Sequence, residues 1–308
     1  MRGPDARAGP TVFTTVDLHV AGAAVRLVES GYPALEGEVV AARAEAAAGR
    51  HDAYRRRLLM EPWGADGLEG AILTPPERPS SSIGIVPMTA AGYPLRAGRP
   101  ALAAALWLWR GDRVRAPGGD SVVVDTPAGP EEVTIRPGPD GLPSGVLALT
   151  PTEGAEPLAG DARLVRVGGM AYAVALGPEG AAGLEPEALH RARRRLDALR
   201  AAAAGLAGAL VATVGPGPGG SIAVVACDAD GRLARAPSFE ALAALVAALP
   251  EDLGTADAGV EVRGLAPATV RLVVAAGRPV AVEASAYLTG LRRFVGDPAD
   301  EIEPFLLP

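Results

Sequence analysis

The apolar positions of this chain alternate between the two periods that are typical of strands and of helices. Residues 11–31, "TVFTTVDLHVAGAAVRLVESG", are rich in β-branched residues and alternate in character on both sides of Gly22. This stretch predicts two strands joined by a turn at that glycine. Residues 35–64, "LEGEVVAARAEAAAGRHDAYRRRLLMEPWG", carry helix-favouring residues and charge pairs four positions apart. They predict a helix that ends at Pro62 and Gly64.

Two later stretches are apolar on nearly every side of a helix. The first is "GYPLRAGRPALAAALWLWRGD", residues 92–112, and the second is "PSFEALAALVAALPEDLG", residues 237–254. A helix that is apolar all round is normally buried inside a domain. We therefore predict one central helix from about Gly98 to Trp109 and a second one that is capped at its start by Ser238.

The second half of the chain repeats the order of elements of the first half. Residues 162–177 predict two strands around a Gly168–Gly169 turn, and residues 185–210 predict one amphipathic helix. Strands and a second buried helix follow, as in the first half. The sequence thus predicts two similar domains, with the two buried helices starting on either side of a cleft. Helix N-termini carry unpaired N–H groups, so such a cleft suits a small carboxylate.

Composition narrows the possible functions. The chain has 308 residues, of which 49% are hydrophobic, and a net charge of −7 at pH 7, which argues against nucleic acid as a partner. It contains no lysine, which excludes a Schiff-base lysine, and one cysteine, which excludes a multi-cysteine metal site. We expect no metal, no cofactor and no membrane span. The lone cysteine and the absence of a signal peptide are typical of a cytoplasmic protein.

Several motifs occur in the order in which one known family has them. "DLHVAGAAVR", residues 17–26, resembles D-x-H-T-x-G-E-P-x-R, and residues 55–76 resemble R-x-x-L-M-x-E-P-R-G-H-x-D-M-x-G-A-x-L-T-P-P. "VDTPAG", "GGMAYA" and "YLTGLRRFVGDPAD" follow at residues 124–129, 168–173 and 287–300. The chain resembles the proline racemases, with 4-hydroxyproline 2-epimerases and trans-3-hydroxyproline dehydratases as relatives.

This resemblance implies an α/β (α+β) fold of the diaminopimelate epimerase type. Each of two similar domains would be a curved, mostly antiparallel sheet wrapped round a central helix. Residues 1–127 and 285–308 would form the N-terminal lobe, and residues 128–284 the C-terminal lobe, with the ligand cleft between them. The resemblance also implies a homodimer and an isomerase that needs no cofactor.

In that family, two cysteines on opposite domains exchange the α-proton of proline, since inversion needs an acid and a base on opposite faces. The motif of the first is G-Y-x-x-M-C-G-H, which here reads "GYPLRAGR" and places Ala97 at the cysteine. The motif of the second is D-R-S-P-C-G-T-G, which here reads "ARAPSFEA" and places Ser238 at the cysteine. Alanine carries no proton, and an unaided serine hydroxyl is too weak an acid. Racemisation by two thiols is therefore unavailable.

The remaining candidates each have a functional and a structural interpretation. In the functional interpretation, the carboxylate of a ligand is held by Arg96 and Arg99, with Gly98 between them. In the structural interpretation, the two arginines face solvent or pair with an acid such as Glu240. Glu240 would be a one-sided base, or it would only complement its helix dipole.

Ser238 would be a proton shuttle or an ordinary N-cap. Phe239 stands where the family has a glycine, so it would line the cleft and reduce its volume. Cys227 lies away from both family cysteine positions and is interpreted as a buried structural thiol.

Two hypotheses for the function follow. The first is an inactive or amino-acid-binding homologue, a pseudoenzyme whose ligand would be a small carboxylate. The second is an enzyme with altered chemistry, either a lyase (dehydratase) or a one-base isomerase or epimerase. Its substrate would be proline, hydroxyproline or a related cyclic amino acid, and it would use Glu240 or Ser238.

Overall fold

A computed structural model of the protein describes residues 10–96, 98–111, 120–138, 142–150, 152–177, 185–214, 221–249, 259–275, 278–297 and 300–306. The chain forms two compact units. The first comprises Met1–Val20, Ala24–Ile135 and Ala286–Pro308, and the second comprises Ala21–Ala23 and Arg136–Ser285.

The described residues form both helices and strands, with strands in the majority, which confirms the predicted mixed α/β class. The helices are α1 (Val40–Arg50), α2 (Asp52–Leu59), α3 (Gly98–Arg110), α4 (Pro186–Ala202) and α5 (Phe239–Ala248). The strands of the first half are β1 (Thr11–Val20), β2 (Ala23–Ser30), β3 (Glu69–Thr74), β4 (Ile83–Met88), β5 (Ser121–Thr126), β6 (Gly129–Pro137) and β7 (Pro143–Ala148). Those of the second half are β8 (Thr152–Pro157), β9 (Arg163–Val167), β10 (Met170–Leu176), β11 (Leu206–Val214), β12 (Ile222–Asp228), β13 (Val260–Arg263), β14 (Thr269–Ala275) and β15 (Arg278–Gly296).

In the first unit, the strands are ordered β15–β1–β2–β3–β4–β5–β6. The β2–β3 and β4–β5 pairs are parallel, whereas β1–β15, β3–β4 and β5–β6 are antiparallel. Helix α3 packs against β1, β3 and β5, and α1 packs against β4 and β5. Residues 98–106 of α3 are all buried, as an all-round apolar helix requires. The predicted central helix is therefore confirmed.

In the second unit, the strands are ordered β7–β15–β14–β13–β12–β11–β10–β9–β8. Helix α5 packs against β8, β9, β10 and β11, and α4 packs against β10, β11 and β12. The residues of α5 from Phe239 to Leu245 are buried without interruption. The second predicted buried helix is thus confirmed as well.

Two of the predicted helices are wrong in extent. The single helix expected over residues 35–64 is divided into α1 and α2 at His51, whose backbone (φ −130°, ψ 15°) is not helical, and α2 ends at Leu59. The helix expected over residues 185–210 ends at Ala202, and Leu206–Val214 is strand β11. Ala203 has extended backbone angles (φ −145°, ψ 138°), which end the helix, and β11 pairs in parallel with β10. The alanines there favour a helix, but tertiary pairing and burial decide the structure.

Among the described residues, no helix has both the length and the apolar character needed to cross a bilayer.

Candidate functional site

The start of α3 carries a buried arginine whose charge is balanced locally. Arg99 lies in the first turn of α3, and its side chain is only 4% exposed. Its guanidinium forms an ion pair with the carboxylate of Glu69, the first residue of β3. A buried cation at a helix N-terminus is unfavourable because of both desolvation and the helix dipole. The Glu69 carboxylate offsets both effects.

Arg96, two residues before the helix, also faces a carboxylate. Its guanidinium nitrogen lies 3.5 Å from a carboxylate oxygen of Glu131 on β6, a side chain that is 9% exposed. Gly98 between the two arginines is the first residue of α3 and is buried. Ala97, at the first cysteine position of the family motif, lies outside the described residues.

The N-terminus of α5 is capped by a serine. Ser238 has extended backbone angles (φ −64°, ψ 163°), and its Oγ accepts a hydrogen bond from the backbone N–H of Ala241 at 3.1 Å. This contact satisfies one of the N–H groups that a helix leaves unpaired at its start. The predicted N-cap is confirmed, and a role of Ser238 in proton transfer stays a prediction.

Replacing the cap tests how much of Ser238 is structural. For Ser238→Ala we expect the free energy of unfolding to fall by about 1 kcal/mol, because the N–H of Ala241 loses its acceptor. Ser238→Asp supplies an equivalent acceptor and is expected to keep most of the stability. Urea denaturation of the three proteins measures the difference. Equal stability of the alanine variant and the wild type would contradict the capping role.

Phe239 and Glu240 occupy the first turn of α5 and are both buried, with 5% and 6% of their surface exposed. A carboxylate in the first turn complements the positive end of the helix dipole. Phe239 belongs to the hydrophobic interior of the second unit. Their predicted roles toward a ligand stay predictions.

The two carboxylates that pair with the arginines were missed by the sequence analysis. Glu69 and Glu131 lie 30 and 35 residues from their partners. The local sequence carries no signal for these pairs, because they form only when the tertiary fold brings Glu69 of β3 and Glu131 of β6 close to the two arginines. Burial of an arginine on an apolar helix is the one indication that a carboxylate must be near it.

Cys227 lies in β12, opposite Ala209 of β11. It is 5% exposed and packs in the hydrophobic core of the second unit, with Leu196 and Val211 in the same cluster. Burial raises the pKa of its thiol above the usual value. The prediction of a buried structural thiol is confirmed. Among the described residues, no three His, Cys, Asp or Glu side chains come together in a way that would hold a metal ion.

Comparison with known proteins agrees with the motifs. Residues 15–141 match the family model described as proline racemase. This segment, less than half of the chain, is similar to that family. It is 36% identical over 121 residues to a 4-hydroxyproline 2-epimerase from Chromobacterium violaceum and 35% identical over 121 residues to one from Chromohalobacter salexigens. Each alignment covers 39% of this chain and 38% of the relative, so the chain matches well under half of the length of these curated relatives.

Solved structures extend the likeness in fold to nearly the whole chain. A hydroxyproline epimerase from Agrobacterium vitis, with bound trans-4-OH-L-proline, has a TM-score of 0.73 and covers 96% of this chain and 95% of its own at 19% identity. A phenazine biosynthesis PhzF family protein from Enterococcus faecalis has a TM-score of 0.60, with coverage of 92% and 99% at 14% identity. At these identities the likeness establishes the fold that the two proteins share with this chain.

Proposed function

We propose that this protein is a proline racemase family member that does not racemise proline by a two-thiol mechanism. It binds a small carboxylate or an amino acid, or it performs no catalysis. One observation carries the proposal, namely that the chain has a single cysteine and that this cysteine is buried.

The number of thiols matters because inversion removes a proton from one face of the α-carbon and returns one to the other. Two ionisable groups are needed for this, and in the family that the chain resembles both groups are cysteines. Cys227 is 5% exposed, and its pKa is raised by burial, so it is neither accessible to a substrate nor available as a thiolate. The sequence offers no second thiol.

The charges at the start of α3 support the same proposal. An anion-binding site needs positive charge that is not already neutralised. Glu69 neutralises Arg99, and Glu131 neutralises part of the charge of Arg96. These pairs weaken the attraction for a substrate carboxylate, and they favour the non-catalytic form of the proposal over a carboxylate clamp.

The thiol itself provides a direct test. In the native protein we expect Cys227 not to react with a thiol-specific disulfide reagent over minutes at pH 8, because the side chain is buried and its pKa is raised. In urea, one thiol per chain is expected to react at once. The absorbance of the released thiolate measures both rates. Rapid stoichiometric labelling of the native protein would contradict the structural assignment of Cys227.

The alternative, an enzyme that uses one base, is favoured by one observation. Glu240 is a carboxylate that is 6% exposed at a helix start, and a buried carboxylate can act as a base. Such a site could support the loss of water from a hydroxyproline but not inversion. This alternative requires that the wild type converts a hydroxyproline and that Glu240→Gln abolishes the conversion. Conversion at an unchanged rate in Glu240→Gln would exclude the alternative.

We further propose that the protein is a homodimer, as the family resemblance implies. The described residues of the first unit expose large apolar side chains on β15, among them Leu291 and Val295, which supports this assembly.

A further inference from the structure

A pocket lies in the first unit at the ends of β2 and β3, and we call it the strand-end pocket. Its volume is about 300 Å³, at the lower end of the range of about 300–1,000 Å³ that small-molecule sites occupy. The last residues of β2 and β3 line it, together with the loop between β2 and α1 and with Arg43 of α1. Its apolar lining includes Tyr32, Leu35 and Ile72. A small molecule with an apolar part fits such a lining.

The strand-end pocket is separate from the start of α3. Glu69, which pairs with Arg99, is the first residue of β3, whereas Leu73 and Thr74 at the pocket are its last two. Five residue steps along a strand span about 17 Å. The pocket and the Arg99 ion pair therefore lie at opposite ends of β3, and a small ligand in the pocket would not reach Arg99.

Arg43 holds its guanidinium at the pocket through four hydrogen bonds. Its Nε donates to the carbonyl oxygen of Gly37 at 3.0 Å, and its Nη2 donates to that of Glu38 at 3.1 Å. Its Nη1 donates to the carbonyl oxygen of Pro75 at 2.6 Å and to the Oγ1 of Thr74 at 3.2 Å. These bonds tie α1 to the loops on both sides of the pocket and fix the orientation of the guanidinium.

The charge of Arg43 is not neutralised by these contacts, because all four acceptors are uncharged. Glu36 and Glu77 belong to the same two loops, but their carboxylates pair with Arg50 and Arg78. A guanidinium has five N–H groups. The described residues accept four of them, so that one N–H on Nη2 stays available to a ligand.

The other charged residue of the lining, Glu29, belongs to the opposite face of the sheet. Successive side chains of a strand alternate between the two faces. Val28 packs in one cluster with Val40 of α1, and Glu29 accordingly faces α3, where its carboxylate accepts a hydrogen bond from the indole N–H of Trp107 at 2.9 Å. The positive charge of Arg43 therefore prevails on the α1 side of the pocket.

We propose that the strand-end pocket binds a small monocarboxylate that carries an apolar chain. The carboxylate accepts the remaining Nη2 N–H of Arg43 in a charge-assisted hydrogen bond, and the chain packs on Tyr32, Leu35 and Ile72. Because Arg43 is already fixed, binding loses little side-chain entropy. This site goes beyond the proposed function, and its absence would leave the argument from the thiols unchanged.

Isothermal titration calorimetry tests the site with 4-methylpentanoate as the probe and 4-methylpentanamide as its uncharged analogue. We expect the wild type to bind the acid about tenfold or more tightly than the amide. Ala34→Glu adds a carboxylate at an exposed residue of the lining and is expected to weaken binding of the acid by a similar factor. Ala34→Gln has the same size without the charge, and this matched control is expected to bind like the wild type.

Two further variants locate the bound carboxylate. Arg43→Gln removes the positive charge and is expected to abolish binding, with thermal melting as the check that the variant is folded. Arg96→Gln, before the start of α3, is expected to leave binding unchanged. Weaker binding in Ala34→Glu together with wild-type binding in Arg96→Gln supports the inference. No binding by the wild type, or equal binding by Ala34→Glu and Ala34→Gln, would overturn it, and a loss confined to Arg96→Gln would do so by assigning the carboxylate to the α3 start.

Discussion

Arg26→Met is expected to lower the free energy of unfolding by about 3–5 kcal/mol, the usual effect of breaking a buried ion pair. The Arg26 side chain is 3% exposed, and two of its nitrogens donate to the Asp17 carboxylate at 2.9 and 2.7 Å. A third nitrogen donates to the carbonyl oxygens of Leu58 and Trp63. Methionine fills similar space but satisfies none of these acceptors, so the Asp17 charge loses its principal partner.

The chain offers a matched control for this experiment. Arg50 forms the same two-bond pair with Glu36, at 3.0 and 2.7 Å, but both side chains are largely exposed. Arg50→Met is expected to change stability little, because surface ion pairs are weak. Urea denaturation of both variants measures the contrast. Equal losses in the two variants would show that burial is not the cause.

This pair also gives a structural role to both ends of the first motif singled out in the sequence. Asp17 and Arg26 are the two ends of "DLHVAGAAVR", and together they fix β1, β2 and the segment that includes Leu58 and Trp63. These two positions therefore have a structural role in the first unit, which needs no catalytic role to explain it.

The second large effect is expected at the start of α3. Glu69→Gln removes the carboxylate that pairs with the buried Arg99, and we expect a loss of about 3 kcal/mol in unfolding free energy. It also removes a negative charge beside Arg99 that would repel an added anion. Acetate or sulfate is therefore expected to raise the melting temperature of this variant more than that of the wild type, since binding to the folded state stabilises it.

Glu36→Gln, which removes an exposed carboxylate from an arginine pair, is the control and is expected to show neither effect. Thermal melting with increasing acetate at constant ionic strength separates binding from general salt effects. If acetate stabilises the wild type and Glu69→Gln equally, then Glu69 does not limit anion binding at Arg99.

The sequence predicted those elements that depend on local signals. Both buried helices are apolar on every side, and Ser238 has the residue type and position of an N-cap. The turn after β1 needs a glycine, since Gly22 has a φ of +80° and a Cβ there would lie 2.3 Å from the Cβ of Ala266. Each of these features follows from a few neighbouring residues.

The features that were not predicted depend on residues distant in the chain. Residues 206–210 read as the end of a helix, and only their pairing with β10 and β12 makes them part of a strand. The pairing of Arg99 with Glu69 depends on β3 lying beside α3. The sequence can therefore place the start of a helix, whereas the charges that surround that start depend on the tertiary fold.

The most direct test of the central claim is proton exchange at the α-carbon of proline. The purified protein is incubated in heavy water with L-proline and with trans-4-hydroxy-L-proline, and the α-proton signal is followed by NMR. We expect the signal to remain unchanged over the time in which an equal amount of an active 4-hydroxyproline 2-epimerase removes it completely. Protein-dependent loss of that signal would contradict the account.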